Sequence, residues 1–199
     1  TMLYHYGFYQ NANDPLYAKS FPVFTCKGAA MCIRKECVDK VGLFDPDFWC
    51  YYEETDFCHR AWLAGYESWY FADATVLHFN GGTSTNFNNS FIQYHNFKNK
   101  LRSFIKNFSG LERISILIRF TIMASIFSVV SLFLGKLGNI KAIFSAYTWN
   151  IKKIIFEHKI PKRQVHKQTI PKYVIKNPSL MYYIDLTLDL KKHTYDKTV

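Results

Sequence analysis

From Ile114 to Leu134 the chain runs for 21 residues with Arg119 as its only charge. That is close to the roughly 20 predominantly apolar residues a bilayer-crossing helix needs. Two arrangements fit such a run: a helix facing lipid, or a soluble helical hairpin packed on the first half of the chain. Ser and Thr dilute the run, and its charge-free core is Phe120–Leu134. The segment that follows ranks the lipid reading first. Ile140, Phe144, Tyr147, Ile151, Ile154 and Ile155 form one apolar helical stripe, with Lys141, Lys152 and Lys153 off it. Tyr147 and Trp149 suit a lipid headgroup boundary. Between Lys136 and Lys176 ten Lys/Arg accompany a single acid, Glu157, the bias of segments on the cytoplasmic side.

The charge is divided unevenly along the 199 residues. Residues 1–100 hold 8 Lys/Arg against 10 Asp/Glu, and residues 101–199 hold 17 against 5. Two parts with different partners are expected, the second facing an anionic membrane. Nucleic acid is the weaker partner and is set aside, because the basic residues flank apolar runs rather than a polar recognition surface. No zinc-finger spacing or Gly-rich phosphate loop is present. All five cysteines (Cys26, Cys32, Cys37, Cys50 and Cys58) lie in the first third, with no CxxC pair. Reduced, mostly buried thiols in a cytosolic compartment fit better than a disulfide framework or a zinc site. The start, TMLYHYGFYQ, has no signal-peptide pattern.

Local signals predict strands near Pro22–Thr25, Met31–Ile33, Glu67–Phe71 and Thr75–His78. They predict helices over Arg34–Val41, ended by Gly42, and from Glu53 or Glu54 to about Ala64, with Gly65 in the stop position. After a loop at 80–85, helical spacing of Phe91, Tyr94, Leu101, Phe104, Ile105 and Phe108 predicts a helix from about Asn89 to Asn107. Lys98, Lys100, Arg102 and Lys106 crowd its remaining surface. Alternating strand and helix indicates an α/β architecture.

The segment Gly42–Arg60, GLFDPDFWCYYEETDFCHR, carries five carboxylates among Phe, Trp and Tyr. Carboxylates held against aromatic surface become more basic and suited to proton transfer. The bland counterpart is an acidic turn that caps a helix over an aromatic core. Asp56 and Arg60 are an i,i+4 pair, and Asp45 and Asp47 belong to a turn.

Residues 28–78 resemble the C-terminal half of the catalytic domain of family 2 glycosyltransferases, particularly the rhamnosyltransferase-like branch. The resemblance extends over roughly residues 24–108. It rests on GAAMCIR, a helix ending in VGLFD, YEETDFCHR, AGY, and a strand ending in His78, in that order. It implies the C-terminal half of a GT-A nucleotide-diphospho-sugar transferase domain, followed by a helical membrane-associating region. The expected divisions are 1–110 for the acceptor-side part, 111–160 for the membrane-associating helices, and 161–199 for a basic tail. The implied reaction is inverting transfer from a nucleotide-diphosphate sugar donor to a hydroxyl of a glycan or lipid-linked acceptor, on the cytoplasmic face of a bacterial inner membrane.

Carried over by position, Glu54 stands where the family has an Asp base, and Glu53 is its neighbour. The longer side chain leaves open which of the two is placed to act. The resemblance places Gly28 and Ala29 at the donor–acceptor cleft and Lys98 near phosphate. It assigns Trp49 and Tyr51 to a sugar ring, with Asp56 and Arg60 in the substrate block or orienting the helix that carries the base. His78 falls at a metal or diphosphate site. A divalent cation, Mg or Mn, is implied, its main Asp-x-Asp motif expected upstream. Asp45-Pro46-Asp47 has the letters but not the setting of that motif. The isolated chain is therefore expected to be inactive, the competing reading being a non-catalytic membrane-bound glycan-binding or scaffold module.

Overall fold

The structure, a computed structural model, describes residues 6–7, 11–78, 87–157 and 170–171. The loop at 80–85 lies outside the described residues, as does the tail from 161 onward apart from 170–171. In chain order the elements are β1 (Phe21–Val23), α1 (Lys35–Val41), α2 (Glu53–Leu63), β2 (Ser68–Tyr70), α3 (Asn89–Asn107), α4 (Gly110–Phe133) and α5 (Leu137–Glu157). A single turn of 3-10 helix, Pro15–Tyr17, precedes them, with the Asp14 side chain accepting from the Leu16 N–H.

Helix dominates. The sheet formed by the described residues is one antiparallel pair, with Phe21 opposite Tyr70 and Val23 opposite Ser68. The strands expected at Met31–Ile33 and Thr75–His78 are not formed. Short runs that find no neighbouring strand leave their backbone groups unpaired, and short apolar runs carry little strand information by themselves. The α/β expectation is met only to the extent that helices accompany a small sheet; a layered GT-A sheet is not present among the described residues.

Where the helical signals were strongest, the boundaries agree. Gly42 closes α1 with φ 74°, a left-handed angle that favours glycine, and its N–H donates to Val38. Asn88 caps α3, its side chain accepting from the Phe91 N–H at 2.8 Å. α2 packs on β1 through Trp62, whose indole N–H donates to the carbonyls of Val23 and Phe24.

Two apolar clusters hold these elements. The smaller joins Cys37 of α1 to Phe57, Cys58 and Ala61 of α2. The larger takes Phe97, Leu101, Phe104 and Ile105 from α3, Phe120 and Ala124 from α4, and Ile143 and Ala146 from α5. Each large apolar side chain buried there contributes about 1.5–3 kcal/mol. Ring contacts set the packing of α3 against α4, Phe97 meeting both Phe120 and Phe127, and Phe104 meeting Phe120. α4 turns back into α5 beyond Gly135, with Thr121 bonded to Tyr147 and Asn139 to Ser131. At the start of α5, Gly138 lies so close to Ser90 that a Cβ there would collide with it. By length and composition α4 is long and apolar enough to cross a membrane, and 17% of its most apolar window is buried.

Candidate active site

The segment before α2 is built in an unusual way. Trp49, Tyr51 and Tyr52 all have left-handed backbone angles, with φ of 57°, 64° and 74°. Non-glycine residues occupy that region at a cost and persist there when the surroundings over-determine them. Asn99 of α3 is the surrounding that matters. Its fully buried side-chain amide donates to the carbonyls of Phe48, Cys50 and Tyr51 at 3.0, 2.7 and 2.6 Å. Lys98 donates from Nζ to the Asp47 carbonyl at 2.7 Å, and Asn150 of α5 donates to the Lys98 carbonyl.

Acidic side chains of the same turn are clamped alongside. Asp45 accepts from the Asp47 N–H and pairs with Lys106, while Asp47 pairs with Lys153 at 3.0 Å and with Arg102 at 3.8 Å. The basic residues that pattern put on the free surface of α3 are therefore turned inward. Lys98 and Arg102 are buried as whole residues, and the Lys106 side chain is almost completely covered. Lys100 lies over the Tyr52 ring, and burial pushes its ammonium down to about 8.

This turn delivers Glu53 and Glu54 to the amino terminus of α2. No side chain caps that end, and both carboxylates bond to their own backbone N–H groups, which lowers their pKa values. Burial opposes this and wins. It raises Glu53, and it pushes Glu54 up to about 7, with the neighbouring charges of Glu53 and Cys58 adding and Lys27 opposing. Glu53 Oε2 is buried with no hydrogen-bond partner among the described residues. Gly28 sits directly against Glu54, since a Cβ on it would lie 4.0 Å from Glu54 Cβ. Gly28 and Ala29 are exposed, so the approach to Glu54 from that side is open.

Beneath Glu54, Cys26 and Cys58 share a hydrogen bond that the sequence did not foretell. Cys58 is held below the usual thiol range by hydrogen bonds from Cys26, Ser68 and Thr25, while Cys26 is driven up by the same pairing and by burial. All five thiols are free. Cys37 and Cys58 are buried, Cys26 and Cys50 are half-buried, and Cys32 is exposed.

The other expected site residues divide. Trp49 is 66% exposed and leans on Phe87, Phe91 and His95 at the mouth of the turn. Tyr51 is half-buried, with its carbonyl held by Asn99. For three residues the expectation of substrate contact needs correction. Asp56 and Arg60 are fully buried and face each other at 2.8 Å. The Arg60 guanidinium also donates to the carbonyls of Val41, Gly42 and Leu43, and Asn107 donates to Asp56. These two residues lock α2 to the end of α1 and cannot reach a substrate. Lys98 is likewise committed to a backbone carbonyl and lies 4.8 Å from the centre of the Trp149 ring, so it supports the turn rather than reaching phosphate.

His78 is exposed beyond β2, and no three His, Cys, Asp or Glu side chains converge as a metal site among the described residues. The parts sequence reasoning missed are Asn99, Asn107 and Asn150. An Asn within the buried face of an amphipathic helix needs partners, and that is the signal they carried. Compared with known proteins, the chain matches no family model, no curated protein and no solved structure.

Proposed function

We propose that this chain is the acceptor-side part of an inverting glycosyltransferase of the GT-A type, with Glu54 as the general base. The observation that supports this is the placement of Glu54. It is a carboxylate pushed up to about 7, at the amino terminus of a helix, against the small exposed residue Gly28. A base is most effective when its pKa lies near the working pH. In the reaction, Glu54 takes the proton of the acceptor hydroxyl as its oxygen attacks the anomeric carbon. The bond from that carbon to the donor's phosphate oxygen breaks, and the nucleoside diphosphate leaves with the electron pair. Trp49 offers an exposed aromatic face to an acceptor sugar. Glu53, with one buried oxygen unbonded, raises the basicity of Glu54 by its charge.

Donor binding and the divalent cation belong, on this reading, to sequence preceding these residues, and no step is assigned to them here. The work is placed at the cytoplasmic face of a bacterial inner membrane, on a glycan or lipid-linked acceptor for cell-surface polysaccharide. Support for that placement is the length and apolar character of α4 and the basic sequence around it.

The test is transfer of labelled sugar from nucleotide-diphosphate donors to lipid-linked acceptor, measured on the protein in its own membranes. Replacing Glu54 by Gln should reduce transfer by about 10²–10⁴-fold, with a smaller loss for Glu53→Gln. Transfer untouched by both changes removes the base assignment and leaves a module whose acidic turn only caps α2.

A further inference from the structure

We infer that the chain docks on an anionic bilayer with α4 lying in the plane of the membrane surface, not crossing it. The inference rests on the membrane part of the reading above and is independent of sugar transfer.

Along α4 two opposite faces are distinct. Phe120, Ala124 and Ser131 are buried against the rest of the protein, whereas Ile118, Ile122, Ile126, Val129 and Phe133 are exposed. The exposed positions are spaced at three, four and seven residues and so form one continuous ridge. Across α4 and α5 positive charge outnumbers negative, although Glu112 is exposed in the first turn of α4. Residues 111–157 hold six Lys/Arg and two acids, and Arg119, Lys136, Lys141 and Lys152 are exposed. An apolar ridge on a helix pair of net positive charge complements an anionic lipid surface. A second copy of the chain fits less well, because pairing the two ridges would bring two segments of net positive charge together.

Orientation follows from what lies beside α4. Phe120 packs on Phe97 and Phe104, and Phe127 on Phe97, so α3 runs alongside the middle of α4. Thr121 and Ser131 bond to Tyr147 and Asn139, so α5 flanks it as well. α3 carries Lys98, Asn99, Arg102 and Lys106 on its other side, and these hold Asp45, Asp47 and a strained turn. If α4 stood across the bilayer, its 24 residues would take those charges and irregular backbone to hydrocarbon depth. Polar backbone that faces lipid is not tolerated there, and charged side chains are costly. With α4 lying flat, only its ridge enters the lipid, and α3 stands one helix layer above it, about 8–10 Å between axes.

The experiment places an environment-sensitive fluorescent amino acid singly at Ile118, Ile122, Ile126 or Phe133. The 199-residue chain is then bound to vesicles of roughly three parts phosphatidylcholine to one part phosphatidylglycerol and quenched by lipids bearing nitroxides at set depths. All four positions should report one shallow depth, about 5–10 Å into the headgroup–acyl boundary. A spanning helix would instead spread Ile118 and Phe133 over roughly 20 Å of depth, which overturns the in-plane orientation and leaves membrane binding intact. Failure to float with these vesicles overturns the membrane reading itself, as does self-association through the ridge without lipid binding. The double change Ile122→Lys/Ile126→Lys should weaken vesicle partitioning by roughly 100-fold with an unchanged circular dichroism spectrum. Undiminished partitioning by that folded variant also refutes the proposal.

Discussion

Replacing Glu54 with Gln removes a charge that folding makes unfavourable, and the effect has a defined pH signature. Burial raises the Glu54 carboxyl from 4.5 to about 7. The folded protein therefore binds this proton more tightly than the unfolded chain does. Its contribution to stability is complete below about pH 4.5 and is lost as pH rises through about 7. At roughly 1.4 kcal/mol per pH unit the shift corresponds to about 3 kcal/mol. Because the side chain is half-buried, solvent screening brings the expected gain to about 1–3 kcal/mol. Gln cannot ionise, so Glu54→Gln should stabilise the protein by that amount at pH 8. At pH 4.5 it should be neutral or slightly destabilising, since it weakens the bond to the helix terminus. Urea unfolding at pH 4.5, 6 and 8 measures the difference. Thermal midpoints at pH 8 should rise by roughly 3–10 °C for a chain of this length. The Glu53→Gln variant supplies a control. Removing that neighbouring charge lowers the Glu54 pKa, so the pH-sensitive window should move down. An equal effect of Glu54→Gln at all three pH values, or a loss of stability at pH 8, would falsify the desolvated-carboxylate account.

Two further changes test the supports of the site. Asn99→Ala deprives the Phe48, Cys50 and Tyr51 carbonyls of their donor and should cost about 2–5 kcal/mol, with faster hydrogen exchange confined to residues 47–52; a cost below about 1 kcal/mol would mean the turn holds itself. Arg60→Ala leaves Asp56 buried without its cation and should cost about 3–5 kcal/mol, much of it recovered in Arg60→Leu/Asp56→Leu, and equal losses in the single and double variants would rule that out.

The elements legible in the sequence are those whose signals are local. α3 begins and ends where periodicity placed it, and α1 stops at Gly42. Glu53 and Glu54 were visible as acids among aromatics. Illegible were the features created by distant partners. The basic stripe on α3 reads as a solvated face, but it lies against Asp45, Asp47 and the carbonyls of a turn some 50 residues away in sequence. A cation on a helix has the same spacing whether it meets water or a distant carboxylate. Asp56 and Arg60 were recognisable as a pair by their i,i+4 interval. Their complete burial favours the helix-orienting role over substrate contact, bracing α2 against the end of α1. Cys26 and Cys58 lie too far apart in sequence for any motif to join them.

The supports of the Trp49–Tyr52 turn also impose an order in time. The turn leaves the ribosome well before Asn99, and about a hundred residues before Lys153. At about 5–20 residues per second the interval before α5 arrives is roughly 5–20 s. For about the first half of it the three left-handed residues lack Asn99, and for all of it Asp47 lacks Lys153. Any factor that engages the apolar ridge of α4 as it emerges therefore acts before the candidate base is in place. α5, made after α3 and α4, completes the support of the turn that carries Glu54.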